Sequence, residues 1–428
     1  MNGYRSLELT LALAVSVLCA MSLVATGIVI FSDIPPVVNR SVGQYRMLNG
    51  VILLALTGLL AVLLFSVVTG KLLAARRAIL LGFTSLVTME ALFFIFDTNI
   101  LSIKNSPVAT AFRNIEAGGE VIYLPQPNAL SPFGFRTPRD EPVSRKGYRL
   151  LFLGNSYVQG SGSSFAVNYP QAVEAALRKA MPGRDVTVFS AGVDGFGIKE
   201  DLVLYQYLLD QHYQFDAVVL NFMLGSDPTN DIPGTIRKAI AGQPQRLHEG
   251  WFLRYFYPFN TYISRYLVYL DVTFNQKWAN PPGAATKGPP VCRPSATFTN
   301  FSHDRAADYY GPGAPRRLFM AYNLDKLFAL ADVAGRNQAK LFLVLLPDPN
   351  ALLPDNRAFF VDKPMNWGWT RDAITQRVAG KLPLLDLSPA FLDRPDMFRC
   401  NDTHWNDIGN VAGAQRVAEF LAPQLGAK

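Results

Sequence analysis

The sequence has 428 residues, of which 50% are hydrophobic and 17% are charged, and its formal net charge at pH 7 is +7. This length accommodates more than one domain of ordinary size, and the charged fraction is low for a soluble protein. Lysine and arginine are spread along the chain without a concentrated stripe, which excludes the footprint of a nucleic-acid-binding protein. No CxxC or HxxxH spacing occurs, so the sequence predicts no metal site and no cofactor.

Three apolar segments occupy the N-terminal part of the chain. Residues 9–31 and 47–70 contain no charged residue, and residues 78–96 contain only Glu90. Each segment is long enough to cross about 30 Å of hydrocarbon as a helix. A cleaved signal peptide is the alternative for the first segment, but its apolar run is longer than a signal-peptide core and two more runs follow it. We therefore predict three transmembrane helices in a membrane anchor of residues 1–97.

The basic residues near these segments predict an orientation in the membrane. Lys71, Arg76 and Arg77 lie between the second and third segments. Short cytoplasmic loops carry an excess of lysine and arginine. The bias therefore favours an N-terminus inside the cytoplasm, three crossings, and a large C-terminal part outside.

Strand and helix patterns alternate in the C-terminal part of the chain. Short apolar runs typical of buried parallel strands occur at 150–153, 186–189, 217–222, 341–346 and 384–387. Helical patterns occur at 169–180, 200–210 and 406–421. This alternation predicts an α/β fold, a three-layer sandwich with a mostly parallel sheet.

Two stretches depart from the alternation. Residues 98–147 are mixed and rich in proline, and we predict a connector there. Residues 232–320 form an insertion in the domain of residues 148–428. The aromatic-rich part, 251–278, fits either a helical cap on the sheet or a surface for lipid, polysaccharide or a partner protein. The Pro/Gly-rich part, 279–316, is predicted as loop.

A serine, a histidine and an aspartate form a candidate catalytic site. Ser156 follows the first strand of the domain, and Asp402 and His404 lie two residues apart before the last helix. A hydrolytic serine needs a base for its proton, a group that orients this base, and donors for the oxyanion. Ligands of parallel sheets bind at the carboxyl ends of the strands. Ser156, Gly195 and Ser226 all follow predicted strand ends, so we expect them to lie near one another. The alternative is an ordinary turn at Ser156 and a helix N-cap at Asp402.

Four short blocks resemble, in order, the four blocks of SGNH (GDSL-like) hydrolases. The blocks are Gly154-Asn155-Ser156, Ala191-Gly192-Val193-Asp194-Gly195, Leu224-Gly225-Ser226-Asp227 and Asp402-Thr403-His404-Trp405. The last block is similar to that of membrane-anchored bacterial SGNH proteins and of alginate-acetyltransferase-like proteins. The resemblance covers about residues 146–428 without 232–320, and it implies an SGNH-like, flavodoxin-like fold and acyl-ester chemistry.

The resemblance also implies the roles of individual residues. Ser156 would be the nucleophile, His404 the base and Asp402 the partner of the base. The third block departs from the family pattern, because a serine stands where the family has an asparagine that donates to the oxyanion. The oxyanion hole is therefore predicted to consist of Ser156, Gly195 and Ser226 (or Asn230).

Two of the three cysteines lie in the part predicted to be outside the cytoplasm. Disulfides persist in oxidising compartments, so we predict a disulfide between Cys292 and Cys400, with two unrelated thiols as the alternative. This disulfide would tie the insertion to the loop that carries Asp402 and His404.

The predicted function is that of a membrane-anchored SGNH-like esterase or O-acetyltransferase that acts through a Ser-His-Asp triad on an acylated glycan. The predicted location is the inner (cytoplasmic) membrane of the bacterial cell envelope, with the C-terminal domain in the periplasm. Predicted partners are an acylated polysaccharide or other acyl ester and a membrane-bound O-acyltransferase or other subunits of a membrane complex. The alternative is a non-catalytic SGNH-like scaffold or accessory subunit, for which the altered third block is the reason.

Overall fold

The computed structural model describes most of the chain. The described residues are 2–31, 42–96, 112–117, 119–128, 131–137, 147–161, 163, 165–240, 243–258, 296–312, 319–400 and 402–426. They belong to two compact units, one of Met1–Arg113 with Gly234–Asn280, and one of Asn114–Pro233 with Pro281–Lys428.

The bounds of the described elements follow in chain order. The helices are α1 (Asn2–Phe31), α2 (Val42–Thr69), α3 (Leu73–Phe96), α4 (Ser156–Gln159), α5 (Tyr169–Ala180), α6 (Ile198–Asp210), α7 (Trp251–Phe256), α8 (Ala296–Tyr310), α9 (Met320–Arg336), α10 (Pro349–Leu352), α11 (Pro354–Phe359), α12 (Trp369–Val378), α13 (Ser388–Phe391) and α14 (Asp407–Gly426). The strands are β1 (Phe112–Ala117), β2 (Glu120–Pro125), β3 (Tyr148–Gly154), β4 (Val186–Ser190), β5 (Ala217–Met223), β6 (Thr235–Ile240), β7 (Gln243–His248), β8 (Lys340–Leu346) and β9 (Leu384–Asp386).

Two helices of the first unit, and not the predicted three, are long and apolar enough to cross a membrane among the described residues. The qualifying stretches are Ser6–Ile30 in α1 and Asn49–Thr69 in α2. The third predicted span, 78–96, belongs to α3, which carries Arg76, Arg77 and Glu90. The prediction of three spans is therefore corrected to two, because these charges interrupt the apolar character of α3.

A buried ion pair joins α1 to α3 within the first unit. Glu8 accepts hydrogen bonds from Nε and Nη2 of Arg76 at 3.1 and 2.8 Å, and both side chains are 9% exposed. Apolar side chains of all three helices pack together, among them Val15, Cys19, Leu63, Leu80 and Phe83. The paired charges and this apolar contact hold the three helices in one bundle.

The first part of the insertion belongs to the same unit as these helices. Strands β6 and β7 pair in antiparallel register and α7 follows them. Tyr257, directly after α7, is fully buried against Ala25 and Val29 of α1, and its hydroxyl donates to Oδ1 of Asn49 at 3.0 Å. This part of the insertion therefore packs on the helices of its own unit. Most of the aromatic segment lies outside the described residues.

The second unit is built on a five-stranded parallel sheet. Its strand order is β4-β3-β5-β8-β9, and every neighbouring pair is parallel. Side chains of α5 and α14 pack on one face of the sheet. Helices α6 and α9 pack on each other and line the opposite face with Phe222 and Leu343. The predicted α/β fold with a mostly parallel sheet is confirmed, and the carboxyl ends of the strands lie along one edge.

Two described regions differ from the sequence-based expectation. Strands β1 and β2 form a two-stranded sheet inside the predicted connector. Helix α8 lies inside the stretch 279–316 that was predicted as loop. The prolines and glycines of that stretch all lie outside the helix. The average composition of the stretch therefore predicted a loop, although its fifteen helical residues include no proline or glycine.

Candidate active site

The turn after β3 positions Ser156 at the carboxyl edge of the sheet. Gly154 ends the strand with φ of 144°, and a Cβ atom there would lie 2.8 Å from the carbonyl oxygen of Asn221. Asn155 then caps α4, because its side chain accepts a hydrogen bond from the backbone N–H of Tyr157 at 3.1 Å. The chain can therefore turn sharply from strand to helix, with Ser156 as the first helical residue.

The three residues predicted as a catalytic triad lie in hydrogen-bond contact. His404 Nε2 lies 2.7 Å from Ser156 Oγ, and His404 Nδ1 lies 2.6 Å from Asp402 Oδ1. The same carboxylate oxygen accepts the backbone N–H of His404 at 3.1 Å. In the tautomer with a proton on Nδ1, the imidazole donates to Asp402 and its Nε2 can accept the serine proton.

The carboxylate of Asp402 is ionised at neutral pH. Burial acts to raise the pKa of Asp402, but the hydrogen bond and charge of His404, with the charge of Arg399, lower it to about 2. An anionic Asp402 holds the imidazole in one tautomer and stabilises the imidazolium that forms when His404 takes a proton.

Arg399 is a site residue that the sequence reasoning missed. Its Nη1 lies 3.6 Å from Asp402 Oδ2, and its Nη2 donates to Ser163 Oγ at 3.1 Å. Its backbone N–H donates to the carbonyl oxygen of His404 at 3.0 Å. Arg399 thus fixes the loop of Asp402 and His404 through both its backbone and its side chain. Its position three residues before Asp402 was the signal in the sequence.

Tyr157 is a second missed residue, and it follows the candidate nucleophile directly. Its hydroxyl donates a short hydrogen bond to the carbonyl oxygen of Thr403, and its ring lies 5.0 Å from that of His404. Burial raises the pKa of Tyr157 well above 10, so the phenol keeps its proton. Tyr157 therefore joins the helix of Ser156 to the loop of His404 and limits the movement of the imidazole.

Trp405 anchors the same loop to the domain. Its side chain is 1% exposed and stacks on Phe391 with ring centroids 4.7 Å apart. A Cβ atom on Gly413 of α14 would lie 2.9 Å from the indole, so the helix leaves room for the ring only because this residue is glycine. Trp405 belongs to the hydrophobic core, and it therefore fixes the backbone position of His404, the residue before it.

Two backbone N–H groups are open for an oxyanion. Within the described part of the chain, neither the N–H of Ser156 nor that of Gly195 donates a hydrogen bond. Gly195 has φ of 77°, a left-handed conformation that glycine adopts without strain. These are the two backbone donors that were predicted from the first and second blocks.

The two side chains predicted as a third donor both donate to a buried carboxylate. Ser226 Oγ donates to Asp227 Oδ1 at 3.1 Å. Asn230 Nδ2 donates to the same oxygen and to the carbonyl oxygen of Phe196, each at 3.0 Å. Asn155 adds a further bond to this oxygen at 2.7 Å. In this arrangement the amide and hydroxyl protons of Ser226 and Asn230 are engaged away from an oxyanion.

The strand order decides the type of α/β fold. Numbered along the chain, the five parallel strands lie in the order 2-1-3-4-5, so the second unit has a flavodoxin-like doubly wound fold. No protein-family model matches the sequence, and no curated protein matches it.

Several solved structures are similar to this chain at low identity. The psychrotrophic esterase EstA from Pseudoalteromonas sp. is 12% identical, with 65% of this chain and 98% of that chain covered and a TM-score of 0.32. The acetyl xylan esterase AlAXEase is 16% identical, with 63% and 98% covered and a TM-score of 0.32. TesA is 14% identical, with 64% and 98% covered and a TM-score of 0.34. Nothing about the activity or the substrate of this chain follows from this likeness.

Cys400 lies two residues before Asp402 and is disulfide-bonded, whereas Cys19 is free. The predicted partner of Cys400 is Cys292, which lies outside the described residues, so the pairing stays a prediction. No cluster of three or more His, Cys, Asp or Glu side chains in the described ranges could hold a metal ion.

The third block depends on a glycine that contacts a buried aspartate. A Cβ atom on Gly225 would lie 2.3 Å from Cγ of Asp348, whose carboxylate accepts the hydroxyl of Tyr310 at 2.6 Å. Because this carboxylate is fixed, we expect Gly225→Ala to lower the free energy of unfolding by about 3 kcal/mol or more. Thermal or chemical denaturation measures this change.

The matched control is Gly335→Ala in the last turn of α9. Nothing lies within 4 Å of the Cβ atom that this substitution adds. Since alanine favours helix, we expect a gain in the free energy of unfolding of up to about 1 kcal/mol. Equal effects of the two substitutions would contradict the proposed contact between Gly225 and Asp348.

Proposed function

We propose that this protein is a serine esterase or O-acetyltransferase that acts on an acylated glycan outside the cytoplasm. The observation that carries the proposal is the continuous chain of hydrogen bonds from Ser156 Oγ through the imidazole of His404 to Asp402. The open N–H groups of Ser156 and Gly195 support it, since acyl transfer needs donors for an oxyanion.

The geometry supports a two-step reaction. In the first step Ser156 Oγ attacks the acyl carbon of an ester while His404 Nε2 takes the serine proton, and the oxyanion accepts the two backbone N–H groups. The alcohol then leaves with the proton from His404, and the acyl group remains on Ser156. In the second step His404 takes a proton from water or from a sugar hydroxyl, whose oxygen attacks the acyl carbon and releases Ser156.

The proposed location and substrate class rest on the N-terminal helices and on the resemblance of the blocks. The apolar stretches Ser6–Ile30 and Asn49–Thr69 would anchor the chain in the inner membrane. The SGNH-like domain would then act in the periplasm on an acylated polysaccharide. A membrane-bound O-acyltransferase or another subunit of a membrane complex would be the partner that supplies acyl groups.

A fluorophosphonate probe tests the proposed reaction. We expect the purified full-length protein to form one covalent adduct, and mass spectrometry of the peptides to locate it on Ser156. We expect Ser156→Ala to remain folded, as its thermal midpoint will show, and to lose the adduct. A folded wild-type protein without an adduct would rule out a serine esterase.

A non-catalytic SGNH-like scaffold is the second candidate, and the third block is the observation that favours it. Ser226 and Asn230 both donate to Asp227, so the site relies on two backbone donors for an oxyanion. A site with one donor fewer loses about 10²–10³ in rate. The scaffold predicts no turnover of any acyl ester and no fluorophosphonate adduct.

A further inference from the structure

The small sheet that precedes the SGNH-like domain contacts the loop of the second block. Tyr123 of β2 is fully buried, and its hydroxyl donates to the carbonyl oxygen of Asp194 at 2.8 Å. Its ring meets that of Phe196 edge to face, with centroids 5.0 Å apart and planes at 85°. Tyr123, which lies outside all four blocks, therefore contacts the residues directly before and after Gly195.

The carbonyl that Tyr123 contacts belongs to the same peptide group as the N–H of Gly195. This peptide bond is trans, so the carbonyl and the N–H point in opposite directions. A hydrogen bond that fixes the carbonyl towards Tyr123 therefore directs the N–H of Gly195 away from β2. Glycine has no side chain to restrict its backbone, so such external bonds decide how the peptide group is oriented.

The loop is held from the nucleophile side as well. Gln159 of α4 accepts the backbone N–H of Asp194 at 2.7 Å through its Oε1. Gln159 and Tyr123 thus fix two successive peptide groups. The N–H of Gly195 belongs to the second of them and donates no hydrogen bond within the described part of the chain. A donor that is oriented before the reaction begins stabilises an oxyanion without a cost of reorganisation.

The hydrogen bond from Tyr123 also changes the strength of the donor. A peptide carbonyl that accepts a hydrogen bond is polarised, and its N–H becomes a stronger donor. In a site with two backbone donors, each donor carries a larger share of the stabilisation of the oxyanion.

We propose that Tyr123 is a positioning residue that orients and polarises the N–H of Gly195 in the oxyanion hole. This inference rests on the proposed function. It makes the sheet of β1 and β2 part of the catalytic apparatus, although its sequence position suggested a connector.

Kinetics of Tyr123→Phe in the full-length protein test this role, because phenylalanine keeps the ring contact with Phe196 and removes only the hydroxyl. We expect kcat for p-nitrophenyl acetate to fall about fivefold with KM unchanged, as for the loss of one hydrogen bond. We expect the inhibition constant of phenylboronic acid, which forms a tetrahedral adduct on serine, to rise by the same factor.

Tyr205→Phe is the matched control. Tyr205 of α6 is also fully buried, and its hydroxyl has no hydrogen-bond partner in the described residues. We expect its kcat, its KM and its affinity for phenylboronic acid to equal those of the wild type.

The possible results separate this inference from the proposed function. A wild type that forms no fluorophosphonate adduct overturns both. A wild type that forms the adduct, with Tyr123→Phe and Tyr205→Phe equal in kcat and in boronate affinity, overturns only the role of Tyr123. A lower thermal midpoint of Tyr123→Phe without a kinetic change has the same meaning, since it shows a purely structural hydroxyl.

Discussion

Replacement of His404 by alanine should lower kcat for an acetyl ester by about 10⁴-fold or more. His404 Nε2 lies 2.7 Å from Ser156 Oγ, and no other imidazole has such a contact among the described residues. Without this base the serine keeps its proton and is a poor nucleophile at neutral pH. Steady-state hydrolysis of p-nitrophenyl acetate by the purified variant measures the loss.

A second histidine provides the control for this substitution. His303 stacks on Phe359 with ring centroids 3.7 Å apart. We expect His303→Ala to change kcat by less than about threefold, since the ring contacts of His303 are with Phe359 and Phe360 and not with the residues of the candidate site. A loss below tenfold for His404→Ala, in a protein that remains folded, would contradict its role as the base.

Replacement of Ser226 by asparagine should raise kcat for the same ester by at least about tenfold. One oxyanion donor contributes about 10²–10³ in rate, and the hydroxyl of Ser226 is engaged with Asp227 at 3.1 Å. An asparagine side chain is longer and carries two N–H donors, so one of them can serve Asp227 while the other serves the oxyanion. The gain should appear in kcat rather than in KM, because the oxyanion exists only in the transition state and the intermediate.

Ser226→Ala separates this account from a direct catalytic role of the serine hydroxyl. If the hydroxyl serves only Asp227, its removal should change kcat by less than about fivefold. A loss near 10²-fold would show that Ser226 itself donates to the oxyanion, and the expected gain for Ser226→Asn would then be wrong. A fluorophosphonate adduct that forms only on the Ser226→Asn variant would favour the scaffold as the native function.

Local patterns in the sequence were sufficient for the parallel sheet. Strands β3, β4, β5, β8 and β9 lie within a residue or two of the apolar runs that predicted them. Buried parallel strands need unbroken apolar runs, and the helices between them need an apolar stripe. Short stretches of sequence are therefore sufficient to predict both kinds of element. Sequence patterns failed for α8, where neighbouring prolines and glycines dominated the local composition.

The membrane prediction was limited for a related reason. Hydropathy finds α1 and α2, because Glu8 is the only charged residue in their two qualifying stretches. It counts Arg76 and Glu8 as unfavourable, although the structure pairs them at 2.8 Å. Whether a charge has a partner depends on a contact between residues far apart in the chain, which no window of sequence contains.

The sequence by itself singled out Ser156, Asp402 and His404 as candidates, because Ser156 follows a predicted strand end and Asp402 and His404 lie two residues apart before the last predicted helix. The tertiary structure alone decided what each donor of the site contacts. Asp227 engages Ser226 and Asn230, and Tyr123 holds the carbonyl of Asp194. A hydrogen bond depends on distances of a few tenths of an ångström between groups from separate segments, and only the folded chain sets those distances.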